Sequence, residues 1–460
     1  TNKVVAYMRK YFGTDGVRGV ANTELNSSLA YRLGRAGGFV LTKECKSDAR
    51  VKVVVGRDTR ISGDMLEAAL IAGLMSVGCD VITVGVIPTP AVAYLTRKYG
   101  ANCGVVISAS HNPVEYNGIK FFNDKGFKLD DEIELEIEKH IDDENLLDKW
   151  PVGSDVGRKI YEHNAVRDYV DYLKSHIDGD LKGLKLVLDC ANGAAYKVAP
   201  MAYRELGAEV IEIHCQPDGN NINDKCGSTH PESLQAKVVE VGAHMGMAYD
   251  GDADRLIAVD EKGNIVDGDK IMVVSAIDMK SKGQLKNDTL VVTVMSNIGL
   301  RIAAEENGIK LATTQVGDRY VLEEMIKGDY SLGGEQSGHL VFLDYNTTGD
   351  GTMSSLVLAS IVKSKGEALS SIAGVMDQYP QVLVNVRVQN EYKNSYMEIE
   401  EIAKRIDEIE KEMDGKGRVL IRPSGTEPLV RVMLEGKNED HIYGLAKGLA
   451  DLIDEKIGLK

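Results

Sequence analysis

The chain of 460 residues has no CxxC pair; its six cysteines stand singly at 45, 79, 103, 190, 215 and 226. That spacing argues against a zinc ribbon or a dithiol redox centre and fits a reducing compartment. Positive charge is also short. Against 70 Asp and Glu there are 54 Lys and Arg, a net charge of −16. A nucleic-acid partner selects the opposite, a basic face. Small anions are not excluded, because a basic cleft can act locally inside an acidic protein. No apolar run approaches the ~20 residues that cross a bilayer. The opening TNKVVAYMRKYFGTDG lacks the apolar core of a secretory leader. The expectation is a cytoplasmic protein with neither a membrane nor a nucleic-acid partner; a homodimer is left open.

What is present is apolar content, 43% of residues, ample for globular folding. The length exceeds one ordinary core and predicts several domains. One pattern occurs three times: an apolar run, a polar loop containing Gly or Asn, a helical stretch, a Gly, and a second apolar run. It spans 51–85 (VKVVVGRDTR, then MLEAALIAGLMSVG, then DVITVG), 184–214 and 288–317. Each copy reads as a βαβ unit with a right-handed crossover. Copies about a hundred residues apart indicate related domains, not a solenoid of ~20–50-residue repeats. The acidic stretch 130–150 reads as an exposed helix running into a linker. After it, 150–154 (WPVGS) reads as a junction. The last ninety or so residues change style, with an alternating strand (380–389), an amphipathic helix (398–415), strand–loop–strand (417–436) and a final helix (441–457). The predicted fold class is α/β: three similar mixed α/β domains plus a C-terminal α+β domain. The expected limits are 1–153, 154–255, 256–366 and 367–460.

Four stretches could carry chemistry. In GVVISASHNPVEYNGIK (104–120) a β-branched run breaks into a polar loop that displays Ser110 at its tip. Pro113 has no N–H to donate and disfavours helix at Asn112. A polar loop beyond the carboxyl end of a strand is where α/β proteins gather ligands. His111 is adjacent, but strand neighbours point in opposite directions, and GxSxG is absent; a Ser–His hydrolase is poorly supported. In YDGDADRL (249–256) Asp250, Asp252 and Asp254 alternate, and a period of two would put their carboxylates on one side of an extended chain. Crowded carboxylates repel unless a cation sits between them, and an all-oxygen set suits Mg²⁺ or Ca²⁺. An EF-hand is excluded because Arg255 stands where that loop requires Gly. Arg255 itself suits phosphate. GGEQSGH (333–339) offers a carboxylate, an amide, a hydroxyl and an imidazole, the set that holds sugar hydroxyls. RPSGTEPLVR (422–431) joins cations, hydroxyls and permissive backbone in a turn that can direct N–H groups at an anion. Together these fit phosphoryl transfer on a phosphosugar.

SASHNP, DGDADR, GEQSGH and RPSGTEP, in this order and with FGTDGVRG (12–19) ahead of them, resemble the signature loops of the α-D-phosphohexomutases over essentially the whole chain. The resemblance implies four domains around one cleft and Ser110 as the serine phosphorylated in the resting enzyme. It implies Mg²⁺ held by Asp250, Asp252, Asp254 and an oxygen of the Ser110 phosphate. Arg422, Ser424, Gly425, Thr426 and Arg431 would hold the phosphate that is not reacting, and Glu335 and Ser337 the sugar hydroxyls. Lys120, Arg18 and Arg255 would stabilise charge at the reacting phosphate. His111 and His339 are rival proton carriers, between which the sequence does not choose. Gln336 in GEQSGH, GDRYV (317–321) and FGTDGVRGVAN (12–22) resemble the branch that acts on glucosamine phosphates. That branch implies interconversion of glucosamine 6-phosphate and glucosamine 1-phosphate through a 1,6-bisphosphate. The alternative is a phosphomannomutase/phosphoglucomutase with the same mechanism.

Overall fold

The computed structural model describes residues 10–13, 15–44, 50–424 and 427–459. They fall into two units. One holds the chain to Val294 with Leu311–Ala373, the other Met295–Lys310 with Gly374 onward.

The first unit is built on three sheets. The first contains β1 (Val17–Val20), β2 (Lys52–Arg57), β3 (Asp80–Val86), β4 (Cys103–Ile107), β5 (Tyr116–Asn123) and β6 (Lys159–Tyr161), in the order β1-β5-β4-β2-β3-β6. The second contains β7 (Lys185–Asp189), β8 (Glu209–Ile213), β9 (Met245–Tyr249), β10 (Leu256–Asp260) and β11 (Ile265–Val266), ordered β11-β10-β9-β7-β8. The third orders β12 (Thr289–Thr293), β13 (Lys310–Thr314), β14 (Leu332–Gly334) and β15 (Leu340–Phe342) as β13-β12-β14-β15.

One core is common to all three: β5-β4-β2-β3, β10-β9-β7-β8 and β15-β14-β12-β13. In each, the first two strands flank a helix in sequence, namely Ser62–Ser76, Ala195–Glu205 or Ile298–Glu306, the last of which is counted with the second unit. These are the three βαβ units expected from the repeated pattern. The third strand in sequence (β4, β9 or β14) lies beside the first and runs parallel to it. It then turns back as an antiparallel hairpin into β5, β10 or β15. The turns span 108–115, 250–255 and 335–339, too short for the dozen or more residues of a parallel crossover. Ser110, the aspartates and Glu335 all lie in these return loops. The strands that feed them, such as CGVVI and MGMAY, are buried along their whole length, as expected where both faces of a sheet are covered.

Two expectations change. The acidic stretch is helical over Asp131–Ile141, but Ile137, Ile141 and Leu146 are buried in the core under the first sheet. It is one wall of that domain: Ile137 and Ile141 face the core, the Glu134 carboxylate is buried on the same face, and the other acidic side chains stay at least partly exposed. Sheet pairing also crosses two expected limits. β6 joins the first sheet beyond 153, and β10 and β11 extend the second to Val266.

The second unit contains an antiparallel sheet of β16 (Gln381–Arg387), β17 (Gly417–Pro423) and β18 (Leu429–Gly436), ordered β16-β18-β17. Val382, Val386, Val430 and Val432 pack with Ile402, Ile406 and Ile409 of helix Glu400–Met413 and Leu445, Leu449 and Ile453 of helix Glu439–Ile457. The α+β tail follows the pattern read from its sequence.

Candidate functional site

β4 delivers the chain to Ser108, and the loop beyond it is held from below by a buried ion pair. Arg60 and Asp58 follow β2, the neighbour of β4, and both are fully buried. Arg60 Nε donates to Asp58 Oδ2 at 2.9 Å. Its Nη2 donates to the carbonyls of Ser110 at 3.0 Å and Asn112 at 2.8 Å, and its Nη1 to that of Pro113. Asp58 also accepts from Ser108 Oγ at 2.6 Å, and Ser108 Oγ in turn accepts the Ser110 N–H at 2.9 Å. Asn223 Nδ2 donates to the Ser110 carbonyl from the second domain at 2.9 Å. Gly251 faces that carbonyl so closely that a Cβ there would stand 2.5 Å from the oxygen.

This clamp holds Ser110 in the left-handed region, at φ 52°, a conformation costly for a non-glycine residue and common at functional sites. Two expectations are corrected by it. Ser110 is not displayed at a tip; it is 2% exposed, covered by the metal loop. His111 does not point away either, because the chain has left the strand and turned. Its Nδ1 lies 3.4 Å from Ser110 Oγ.

The Ser110 hydroxyl donates to Asp250 Oδ2 at 2.5 Å. Asp250, Asp252 and Asp254 are all buried, and one oxygen from each lies within 4.8 Å of the others. A turn brings them together, with Ala253 at φ 57°, and not the extended period of two expected from the sequence. Asp252 Oδ2 accepts from Thr89 Oγ1 at 2.6 Å. Asp252 Oδ1 and Asp254 Oδ1 are buried with no hydrogen-bond partner. Burial, with Asp254 and Asp252 beside it, pushes the Asp250 carboxyl well above the usual carboxylate range. Three buried carboxylates with two orphaned oxygens are a donor set that fits a hard divalent cation.

Cationic groups surround this centre. Lys120, on β5, is nearly buried and places Nζ 2.9 Å from Asp15 and 4.0 Å from Asp252. Burial disfavours its charge, yet Asp15, Asp252 and Asp254 hold its pKa above the ordinary lysine value. Arg18 pairs with Asp15. The Arg255 backbone N–H donates to Asp250 Oδ1 at 3.2 Å, and its guanidinium Nε lies 3.9 Å from Asp254 Oδ1. Burial, then Arg255 and Arg18, lowers the His111 pKa.

The sugar loop is attached directly to the metal loop. The Leu256 N–H donates to the Gly338 carbonyl at 3.0 Å. Gly338 has φ 94°, and a Cβ there would meet Leu256 O at 2.0 Å, so only glycine fits. Glu335 Oε1 accepts the Gly317 N–H at 3.1 Å, and Gln336 Nε2 donates to Asp267 at 3.2 Å. Ser337 is exposed. His339 Nδ1 lies 3.5 Å from Asp254 Oδ2. Burial opposes its charge, but Asp254, Asp318 and Glu335 raise its pKa to about 9.

The structure therefore brings Ser110, His111, the three aspartates, Arg255, Glu335 and His339 onto return loops of the first unit, with Arg18 on β1 and Lys120 on β5. In the second unit, Arg422 and Arg431 are cross-strand partners on β17 and β18. Ser424 accepts the Glu427 N–H at 3.2 Å. Gly425 and Thr426 lie outside the described residues. Sequence reasoning missed Asp58, Arg60, Thr89, Asn223 and Asp15. The polar run RDTR after β2 was the available signal for the first two.

Family models match four consecutive segments. They are described as phosphoglucomutase/phosphomannomutase alpha/beta/alpha domain I (residues 9–148), domain II (167–263), domain III (267–379) and the C-terminal domain (383–452). A curated phosphoglucosamine mutase of Clostridioides difficile is 72% identical, covering 98% of this chain and 100% of the relative. Another, of a Thermoanaerobacter species, is 62% identical with the same coverage. Among solved structures, a phosphoglucomutase/phosphomannomutase family protein from Burkholderia thailandensis superposes with TM-score 0.79 at 25% identity, covering 98% of this chain and 100% of its own. An N-acetylphosphoglucosamine mutase of Aspergillus fumigatus, solved with GlcNAc-6P and magnesium, shares the fold at TM-score 0.67 and 18% identity, over 97% of this chain and 96% of its own. The chain belongs to the phosphoglucomutase/phosphomannomutase family of α-D-phosphohexomutases.

Proposed function

We propose that the chain interconverts glucosamine 6-phosphate and glucosamine 1-phosphate, with Ser110 as the residue that carries the phosphoryl group. The observation that carries this is the Ser110 hydroxyl seated on Asp250, beside two carboxylate oxygens without partners. The choice of sugar is supported by the full-length relatives named phosphoglucosamine mutase. In the forward direction the Oγ–P bond of phospho-Ser110 breaks and a P–O bond forms to the sugar O1, giving the 1,6-bisphosphate. The intermediate reverses its orientation. Ser110 Oγ then takes the phosphoryl group from O6, and glucosamine 1-phosphate leaves.

Asp250, Asp252 and Asp254, with an oxygen of phospho-Ser110, would hold Mg²⁺, which supplies neutralisation of charge on the transferring group. Lys120, Arg18 and Arg255 stabilise the same charge from the protein side. Glu335 and Ser337 bind sugar hydroxyls. Arg422, Ser424, Gly425, Thr426 and Arg431 are phosphate ligands. The two histidines have separate partners: His111 serves the serine oxygen, and His339 serves the substrate hydroxyl in the cavity it lines. The site of action is the cytoplasm. No described helix is long and apolar enough to cross a membrane.

Relative kcat/KM on glucosamine 6-phosphate, mannose 1-phosphate and glucose 1-phosphate tests the proposal. Preference for the amino sugar is expected. A tenfold or greater preference for either neutral sugar would overturn it.

A further inference from the structure

A cavity of about 650 Å³ opens beside the sugar loop in the first unit, walled in part by Phe122, Phe127, Asp318, Glu323 and His339. Its charge is arranged unusually. Arg319, the residue next to Asp318, is drawn away from it. Arg319 Nε donates to Glu323 at 2.7 Å, and Nη1 pairs with Asp131. The Asp318 carboxylate accepts the Arg319 backbone N–H at 2.8 Å. Among the described residues Asp318 enters no salt bridge with a lysine or arginine. Glu335, in the sugar loop, accepts the N–H of Gly317, the residue before Asp318, and His339 is already engaged by Asp254. Asp130, Asp131, Glu132 and Glu323 also line this cavity, which is large enough for a hexose phosphate, but Asp318 is the carboxylate next to the residue that holds Glu335 of the sugar loop, and its adjacent arginine is committed elsewhere.

An amino group and a hydroxyl at C2 of a hexose are nearly the same size. Shape alone separates such isosteres weakly, whereas a group placed to pair with the distinguishing atom separates them strongly. The distinguishing property here is charge: glucosamine carries an ammonium where glucose carries a neutral hydroxyl.

We propose that Asp318 is the specificity-determining residue of this site, its carboxylate pairing with the 2-ammonium of the substrate, an assignment that rests on the glucosamine phosphates proposed above. Charge-assisted hydrogen bonds are about twice as strong as neutral ones. Neutral hexose phosphates gain less from the same contact, and selection between them follows. Glu335 remains available for hydroxyls common to both sugars.

The test compares kcat/KM for glucosamine 6-phosphate with that for glucose 6-phosphate in the wild-type enzyme, Asp318→Asn and Asp318→Glu, with folding checked by circular dichroism. The amino-sugar to neutral-sugar ratio is expected to fall about tenfold to a hundredfold in Asp318→Asn, chiefly through KM for the amino sugar. Asp318→Glu, which keeps the charge, is expected to retain most of the ratio. A ratio that stays constant in Asp318→Asn, whether both activities persist or fall together, overturns the assignment. So does a ratio that collapses in a folded Asp318→Glu. Failure of the glucosamine proposal is seen separately, as a wild-type enzyme that prefers glucose 6-phosphate.

Discussion

Replacing Arg60 by methionine should disable the serine loop without touching a residue proposed to meet the substrate. Arg60 is fully buried and is paired with Asp58, also fully buried. Removing one partner of such a pair leaves an uncompensated charge and costs about 3–5 kcal/mol. In Arg60→Met three carbonyls, those of Ser110, Asn112 and Pro113, lose a donor together. Asn223 still reaches two of them, so the loop loosens while keeping one anchor. A displacement of the serine by about 1 Å is expected to cost kcat about 10²-fold.

Burial already raises the Asp58 pKa, with Arg60 opposing; without Arg60 it rises further. A carboxyl that binds its proton more tightly folded than unfolded favours folding at acid pH, and loses that contribution as pH rises through the folded pKa. The stability deficit of Arg60→Met is therefore greatest near neutrality and shrinks on acidification. Urea unfolding followed by far-UV circular dichroism, with kcat measured on the same samples, reads both effects. The double variant Asp58→Asn/Arg60→Met should be less destabilised than the sum of the singles by about 0.5–3 kcal/mol. Additive singles, or an Arg60→Met enzyme with wild-type midpoint and kcat, would refute the clamp.

Chelation should abolish turnover and Mg²⁺ restore it, with Asp252→Asn needing more Mg²⁺ for half-maximal rate. The same substitution should stabilise the metal-free protein, because it removes one of three mutually repelling buried carboxylates. Full activity in excess chelator would contradict the metal assignment. His111→Ala and His339→Ala should each lower kcat by about 10²–10⁴-fold at saturating substrate and Mg²⁺, the range for losing a positioned proton carrier. Either variant with wild-type kcat would remove that histidine from the mechanism.

The three βαβ units were legible because a buried parallel strand, a polar loop and a helix each leave a local signature. The four loops were legible because their chemistry is concentrated in short segments. What could not be read were contacts between distant segments. Arg60 is fifty residues from Ser110 and Thr89 is 163 from Asp252; each pair meets only because the carboxyl ends of several strands gather. The local run RDTR marks a polar loop but does not name the carbonyls it will hold. Burial of Ser110 was hidden for the same reason, since Gly251 of another sheet covers it. Its backbone conformation was hidden too, because a serine at φ 52° leaves no glycine to mark the turn. The acidic helix misled because its dense charge hid the apolar positions Ile137 and Ile141, which bury one face and take the Glu134 carboxylate in with them.

The central claim is that Ser110 carries the phosphoryl group that reaches the sugar. The most direct measurement is intact mass with peptide mapping of the enzyme treated with a hexose 1,6-bisphosphate, before and after a single turnover with excess glucosamine 6-phosphate labelled in its phosphate. The account predicts one phosphoryl group on Ser110, unlabelled before turnover and labelled after it, with Ser110→Ala folded, unphosphorylated and inactive. An enzyme that turns over without phosphate on Ser110, or a Ser110→Ala variant that retains activity, would contradict it.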